Sequence, residues 1–391
     1  SHPPLPPQPR AAAALLAAGV LVRRVPMRRS LQRRVRVLLC GEGDFSFARA
    51  LLRAAEQRGG QARAANELHI SATGFESRDE VATQFAGAKA NIEAILRRGG
   101  KVEHGVDARC LSADGTPYDV VQFQFPHSGD RHRIQANWKL LHEFFLSADG
   151  VLRKQTSPEP LRKELPTVCD AASWFHGPPR VVVTLVRGQG GTLADGDHQR
   201  IPGNSWQCVE QAARAEMVLG SARVFQHAFW ADHGYTSRGY GKGEQGFRTE
   251  DGVVHTFYRQ NCGIRSAYPP RFTRDFSFWC PVGDSEHRPH WLQEGARISD
   301  SVLADMQNDV MEIALQRASC FGITVDSAQL MDDFHKDGRR SLCFRMHYSG
   351  FGEIALSSSK ANLLHDCVRK HLADRWNLEP REGFATPLEQ R

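Results

Sequence analysis

Val37-Leu38-Leu39-Cys40-Gly41-Glu42-Gly43-Asp44-Phe45-Ser46-Phe47 is an apolar run that breaks into glycine and acid, then resumes as a helix pattern. A second stretch of the same kind is Asp119-Val120-Val121-Gln122-Phe123-Gln124-Phe125-Pro126-His127. Each reads as a buried strand opening into a loop. In an open α/β sheet the ligand crevice lies outside the carboxyl ends of the strands. The two stretches therefore predict a cofactor loop and a reaction loop on one rim.

Strand patterns follow at Leu68–Thr73, Lys101–Val106 and Arg180–Val186, with helix patterns between them. The helices are expected over Phe47–Gln57, Asp79–Ala86, Ala90–Arg98 and Ile134–Leu146. In the last, Ile134, Trp138, Leu141 and Phe145 recur at spacings of three and four. Ser205–Leu219 reads as a further helix, and Ala222–Trp230 and Val253–Tyr258 as strands. Alternating strand and helix implies a mostly parallel, seven-stranded sheet covered on both faces, a Rossmann-like α/β domain.

From about Tyr268 the period changes. Phe272–Trp279, Ile323–Phe334 and Ser341–His347 read as strands, Val302–Leu315 and Ala361–Trp376 as helices, with a short last segment near Arg381. His335-Lys336-Asp337-Gly338 is a hairpin turn signal. The order β-α-β-β-α-β is the ferredoxin-like α+β arrangement. The expected organisation is a basic extension over 1–33, a Rossmann-like domain over 34–262, a ferredoxin-like domain over 266–382 and a tail over 383–391. A proline-rich linker interrupts the first domain between Arg153 and Pro179, and a glycine-rich basic loop, read as mobile, occupies Ala231–Gly252.

A chain of 391 residues, 41% hydrophobic and 24% charged, has room for two such cores. No apolar stretch has the roughly 18–20 residues that span a bilayer, so no membrane partner is expected. From Ser1 to Gly41 there is no Asp or Glu, while Arg recurs eight times. That is the composition of a mitochondrial transit peptide, or of a basic arm on RNA phosphates. Nine scattered cysteines with no C-x-x-C pair argue against a zinc ribbon or a disulfide framework. His287-Arg288-Pro289-His290 reads as a surface loop, and no metal is expected.

Gly41-Glu42-Gly43-Asp44 sits where glycine permits a sharp turn and close ligand approach. A dinucleotide fingerprint needs a third glycine where Ser46 stands, which disfavours NAD. Glu76 follows the second strand, where an acid accepts from ribose hydroxyls. Asp107 follows the third, where an acid can hold an adenine amine. An adenosyl ligand without a pyrophosphate is implied, and S-adenosylmethionine fits best. Gln124, Pro126 and His127 close the fourth strand among aromatics, a set able to stack a flat base and bond its edge. His127 is a candidate general base. Phe123 and Phe125 are equally readable as core, and His127 as a loop histidine.

These residues resemble a family. Gly41-Glu42-Gly43-Asp44-Phe45-Ser46-Phe47-Ala48, Phe123-Gln124-Phe125-Pro126-His127, the run Thr184 to Thr192, Asn204-Ser205-Trp206-Gln207 and Gly234-Tyr235 are similar to the large-subunit rRNA uridine-N3 methyltransferase-like domain. The resemblance implies a Rossmann-like fold, S-adenosylmethionine and rRNA. It also implies Phe-Asn-Phe-Pro-His, where this chain has Gln124, one methylene longer. Tyr268-Pro269-Pro270 with Arg274-Asp275-Phe276-Ser277-Phe278-Trp279 resembles the ferredoxin-fold anticodon-binding domain of phenylalanyl-tRNA synthetases. That likeness implies RNA contact through Arg271, Arg274, Arg345 and Arg381, with Phe276, Phe278 and Trp279 read as core. Together the two halves resemble ferredoxin-fold anticodon-binding domain-containing proteins. The expected role is a mitochondrial RNA methyltransferase acting on rRNA with ribosome-assembly proteins as partners. The alternatives are a non-catalytic assembly factor and a tRNA-modifying enzyme.

Overall fold

The structure is a computed structural model and describes residues 34–59, 68–112, 115–129, 133–154, 177–238, 246–260, 262–281, 289–293, 299–350 and 354–381. The basic extension, most of the proline-rich linker and residues 239–245 lie outside the described residues. The described residues belong to the unit that begins at Arg34.

The first sheet has seven strands: β1 (Val35–Cys40), β2 (Leu68–Thr73), β3 (Lys101–Glu103), β4 (Val120–Gln124), β5 (Arg180–Leu185), β6 (Met217–Val224) and β7 (Val253–Arg259). Their order is β3-β2-β1-β4-β5-β7-β6. β1 pairs in parallel with β2 and β4, and β4 with β5, while β7 runs antiparallel to both β5 and β6. The central strands are buried on both faces, which is why they read as continuous Val and Leu rather than as alternation. One face packs Val37, Leu39, Phe47 and Leu51 from β1 and α1 (Ser46–Gly59). The other packs Leu38, Phe123, Phe144 and Phe145, the last two from the long helix Ile134–Val151.

That long helix ends against Arg259. The guanidinium donates to the carbonyls of Asp149 (2.6 Å) and Leu152 (3.1 Å), acceptors at the helix C-terminus, and to that of Arg153 (2.7 Å) just beyond it. Arg259→Ala leaves these partly buried carbonyls without a donor. The expected loss is about 2 kcal/mol of unfolding free energy in a urea titration, and an unchanged midpoint would contradict the capping role.

The second sheet has four antiparallel strands in the order β11-β8-β10-β9. These are β8 (Arg271–Trp279), β9 (Ile323–Lys336), β10 (Arg339–Gly350) and β11 (Glu379–Pro380), with helices Asp300–Phe321 and Ser358–Trp376 on one face. Asp337 and Gly338 take positive φ of 50° and 74° in the β9–β10 turn, the geometry that a two-residue hairpin requires. A small cluster joins the two sheets' layers: Ala355 packs with Ala213, Val218, Tyr258, Cys262 and Ile264. Beside it Lys360 Nζ reaches Gln260 Oε1 at 2.8 Å and the Glu216 carboxylate.

Three sequence expectations are corrected. The helix read over Ser205–Leu219 covers only Cys208–Arg214, because Glu216 turns left-handed (φ 59°) and Met217, Val218 and Leu219 are the buried start of β6. The strand read over Ala222–Trp230 ends at Val224, and His227–Asp232 is a helix that buries Trp230. A short apolar run has no period long enough to decide between the two states. β3 is also shorter than Lys101–Val106, since the chain turns at Gly105 (φ 68°). Among the described residues no helix is long and apolar enough to cross a membrane.

Candidate active site

The strand order reverses between β1 and β4, so the loops after these strands diverge and leave a crevice. A cleft of about 920 Å³ lies there. Gly41, Glu42, Gly43, Asp44, Glu76 and Asp107 line one side, and Gln124, Pro126 and His127 line the other. Ser46 is the one predicted cofactor residue absent from the lining. Its hydroxyl donates to the Thr236 carbonyl and accepts from the Thr236 N–H, each at 3.1 Å.

The loop after β1 is held by its own acids. Asp44 Oδ1 accepts from the Ser46 N–H (2.9 Å) and Glu42 Oε2 from the Ala48 N–H (3.2 Å). These amides belong to the first turn of α1, where an unsatisfied helix end otherwise attracts phosphate. Here two carboxyl groups already occupy it. The missing third glycine thus has a structural counterpart: the anion site of a dinucleotide is filled from within. Burial pushes the Glu42 carboxyl up to about 8, opposed by the Ala48 N–H and reinforced by Asp44. Burial, with Glu42 and then Asp44, also holds the Tyr235 hydroxyl well above its ordinary value.

The two loop glycines have different reasons. Gly41 takes φ 69°, and a Cβ there would lie 2.4 Å from Phe123 Cε2. At Gly43 a Cβ would meet Phe85 Cζ at 3.1 Å and the Arg238 carbonyl oxygen at 3.4 Å. Both positions are constrained by protein neighbours, so close ligand approach is not what requires glycine at Gly41.

Glu76 is half-buried beyond β2. Asp107 is engaged by Arg109, whose Nε lies 3.0 Å from each carboxylate oxygen and whose backbone N–H reaches Oδ1 at 2.9 Å. The Arg109 side-chain bond lowers the Asp107 carboxyl. An adenine amine at Asp107 would compete with this pair. Gln124 Oε1 accepts from the Thr184 hydroxyl (2.8 Å) and from the Gln122 amide, and Gln124 Nε2 is buried with no hydrogen bond among the described residues. Phe125 turns left-handed (φ 48°) and packs edge-on against Phe225 and Phe247. His127 is exposed, edge-on to Trp206, and its Nδ1 accepts the Gly129 N–H at 2.8 Å. A neutral ring in that tautomer carries its proton on Nε2 and is a donor there.

Sequence reasoning did not find Thr236 or Phe75, and it gave Thr184 only as the start of a motif, with no role. The Thr236 hydroxyl donates to Asp44 Oδ2 at 2.6 Å, across 192 positions, a separation that no local pattern reveals. The segment expected to be a mobile basic loop is thus fastened at its described start, and Tyr235, Thr236 and Arg238 line the cleft.

The four predicted RNA-contacting arginines are placed differently from one another. Arg271 is 77% exposed, 3.6 Å from Asp326. Arg274 turns to the helix side, donating to Asn362 Oδ1 (2.6 Å), Ser358 Oγ (2.8 Å) and the Thr273 carbonyl (2.8 Å). Strand alternation places it on the Phe272 and Phe276 face, so it is a strut between β8 and the last helix. Arg345 makes a two-point pair with Asp275 (2.9 and 2.8 Å) on the open face. Arg381 lies over Trp279 (5.2 Å) and Phe334 (5.3 Å), and Arg339 also lies over Trp279 (5.1 Å). Phe276 and Phe278 are core, whereas Trp279 is only half-buried and alternates to the other face. Of the histidine pair, His287 lies outside the described residues and His290 faces Asp305 at 3.5 Å.

A family model described as rRNA (uridine-N3-)-methyltransferase BTM5-like matches residues 38–239, which contain the strand-end crevice and both of its loops. The chain belongs to this BMT5-like family. Members and relatives extend the picture. The chain is 33% identical over 246 residues to the ferredoxin-fold anticodon-binding domain-containing protein 1 homolog of Mus musculus, covering 61% of this chain and 33% of that protein. It therefore spans about a third of the length of the curated relatives it matches. It is also 31% identical over 119 residues to the mitochondrial phenylalanine–tRNA ligase of Saccharomyces cerevisiae, covering 30% of this chain and 21% of that one. Among solved structures, TrmN from Thermus thermophilus gives a TM-score of 0.29 at 17% identity, over 57% of this chain and 44% of that one. An S-adenosylmethionine-dependent methyltransferase from Clostridium acetobutylicum gives 0.28 at 7%, over 57% and 83%.

Proposed function

We propose that this BMT5-like chain binds S-adenosylmethionine and methylates a ring nitrogen of a base in ribosomal RNA, uridine N3 being the acceptor that the family description suggests. The observation that carries this reading is the first turn of α1 closed by Glu42 and Asp44, at the head of a cleft with an aromatic second side. Asp44 there disfavours a pyrophosphate, and Glu42, protonated in the free protein, gives up its proton beside a ligand bearing positive charge. When bound, the cofactor supplies an electrophilic methyl group. The chain supplies the rest. Gly41–Asp44 and Glu76 orient the ligand, Tyr235 and Phe247 exclude water, and Phe123–His127 present the base. With Nδ1 occupied, His127 is placed as a donor that holds a base carbonyl from Nε2, and the N3 proton passes to solvent water as the methyl group is transferred. Positioning accounts for most of the catalysis in such a site.

The basic first 33 residues and the stretch similar to a mitochondrial ligase support a mitochondrial site of action on RNA. The domain division proposed is 34–262 and 266–382, the second carrying Arg271 and the Arg339–Trp279–Arg381 stack toward RNA. The test is tritiated methyl transfer from S-adenosylmethionine to rRNA from cells lacking this chain, with the product located by reverse-transcription stop. Incorporation at one uridine is expected, and no cofactor binding by calorimetry would sink the reading. A second reading, a ribosome-assembly factor without turnover, is favoured by the engagement of Gln124 with Thr184. Cofactor and rRNA binding without any transfer would select it.

A further inference from the structure

Arg187 stands three residues past Thr184 of β5, as His127 stands three past Gln124 of β4, and Gln124 and Thr184 are partners across the two strands. Adjacent strands lie roughly 5 Å apart, so the two positions share one stretch of the rim. Val186 and Gln189, on either side of Arg187, line the cleft. The loop after β5 also reaches His127 through Trp206, which is edge-on to that ring and donates its backbone N–H to the Gln189 carbonyl at 2.6 Å. Arg187 is half-buried, and its Nε is shut off from solvent with no hydrogen bond among the described residues. A buried donor without an acceptor costs free energy and calls for an explanation. Arg200 is folded against the neighbouring residue. Gly188 takes φ 86°, and a Cβ there would lie 2.6 Å from the His198 carbonyl oxygen and 3.4 Å from Arg200 Nε. The acids of this loop do not answer the two cations. Asp195 is buried and turns both oxygens to the backbone, accepting from the Gly188 N–H (2.8 Å) and the Thr192 N–H (3.0 Å). Among the described residues neither Asp195 nor Asp197 forms an ion pair with either arginine. Two unpaired guanidiniums are thus held together on a fastened loop, beside the base side of the cleft.

We propose that Arg187, with Arg200 beside it, clamps the backbone phosphate of the RNA nucleotide whose base enters the cleft at His127. The inference rests on the reading of the chain as a methyltransferase acting on an RNA base. A base reaches such a cleft by leaving its stack, and its flanking phosphates then stay at the mouth. The planar guanidinium fork matches a phosphate, and Arg187 meets it with a donor that has nothing else to hold. The carboxylate of the cofactor is a poorer occupant, because β5 lies two strand spacings, or roughly 10 Å, from the strand that carries the Gly41–Asp44 loop.

The test uses the full chain with Arg187→Gln, Arg200→Gln, the double substitution and Arg187→Lys. Binding of a short single-stranded oligouridylate is followed by anisotropy between about 50 and 200 mM salt, and binding of S-adenosylmethionine by calorimetry. Arg187→Gln is expected to weaken the oligouridylate roughly tenfold or more, and Arg200→Gln, at the exposed end of the pair, about threefold. The double substitution flattens the dependence of log affinity on log salt by about 1.4, at about 0.7 per phosphate contact on a single strand. Arg187→Lys keeps the slope, because it keeps the charge, and recovers only part of the affinity. Affinity for S-adenosylmethionine does not change, and melting temperature does not fall, because Arg187 Nε has no protein acceptor to lose among the described residues. Unchanged oligouridylate affinity and slope in the double substitution overturn the clamp and leave the methyltransferase reading standing. So does weakened S-adenosylmethionine binding, or a melting temperature several degrees lower in Arg187→Gln, the mark of a structural arginine. A wild-type chain that binds neither S-adenosylmethionine nor oligouridylate overturns both.

Discussion

Gly41→Ala is expected to lower unfolding free energy by about 3 kcal/mol and to abolish cofactor binding. Two costs add. An L-residue at φ 69° costs roughly 1–2 kcal/mol. The new methyl group also meets Phe123 Cε2 at 2.4 Å, and that ring is buried edge-on against Phe144 at 5.0 Å. Displacing a packed ring costs about 1–3 kcal/mol. Phe123 begins the Phe123–His127 segment, so the shift is carried into the base side of the cleft as well. Gly43→Ala should be far milder, since Gly43 has ordinary φ and its nearest neighbour, Phe85 Cζ, is 3.1 Å away. A paired substitution separates the two costs. Gly41→Ala with Phe123→Leu should be more stable than the sum of the single effects predicts, by about 1 kcal/mol or more. Guanidinium unfolding of the four proteins measures this, and strict additivity would show that the contact is not the cause.

The parts of this molecule legible in the sequence are those specified locally. β1 and β2 fall on Val35–Cys40 and Leu68–Thr73 because each is a buried run ended by glycine. The face that β8 turns to the helices follows from alternation, in which Phe276 and Phe278 face them while Asp275 and Ser277 do not. What escaped depended on partners distant in sequence. Trp279 looks like Phe278 in composition, but one step of register sends it to the face carrying Arg339 and Arg381. Arg274 reads as a free cation until Asn362 and Ser358 are placed beside it, more than eighty residues on. Asp107 differs: its partner, Arg109, is two residues away, but only the short helical turn Ala108–Cys110 folds one onto the other. The loop Gly41–Asp44 was visible as glycine and acid, whereas the direction of its acids, back onto α1, was not.

That direction makes Glu42 a proton-linked group. Its folded-state value near 8 lies above the ordinary carboxylate value of 4.5, so the folded protein binds a proton that the unfolded chain releases. The associated stability is fully present below about pH 4.5 and is lost as pH rises through about 8. Relative to Glu42→Gln, which keeps an acceptor for the Ala48 N–H, the wild type should lose roughly 3–5 kcal/mol across that window. Binding carries the opposite sign. A cationic ligand beside Glu42 favours the carboxylate, so binding expels the proton and strengthens as pH rises. Between pH 6 and pH 8 the affinity for S-adenosylmethionine should climb by up to about tenfold per unit, and calorimetry in buffers of different ionisation enthalpy should show close to one proton released. Glu42→Gln should bind about ten- to a hundredfold more weakly at pH 8 and show a flat pH profile. A wild-type affinity independent of pH would mean that the ligand's charge does not face Glu42. The carboxyl would then serve only to close the end of α1.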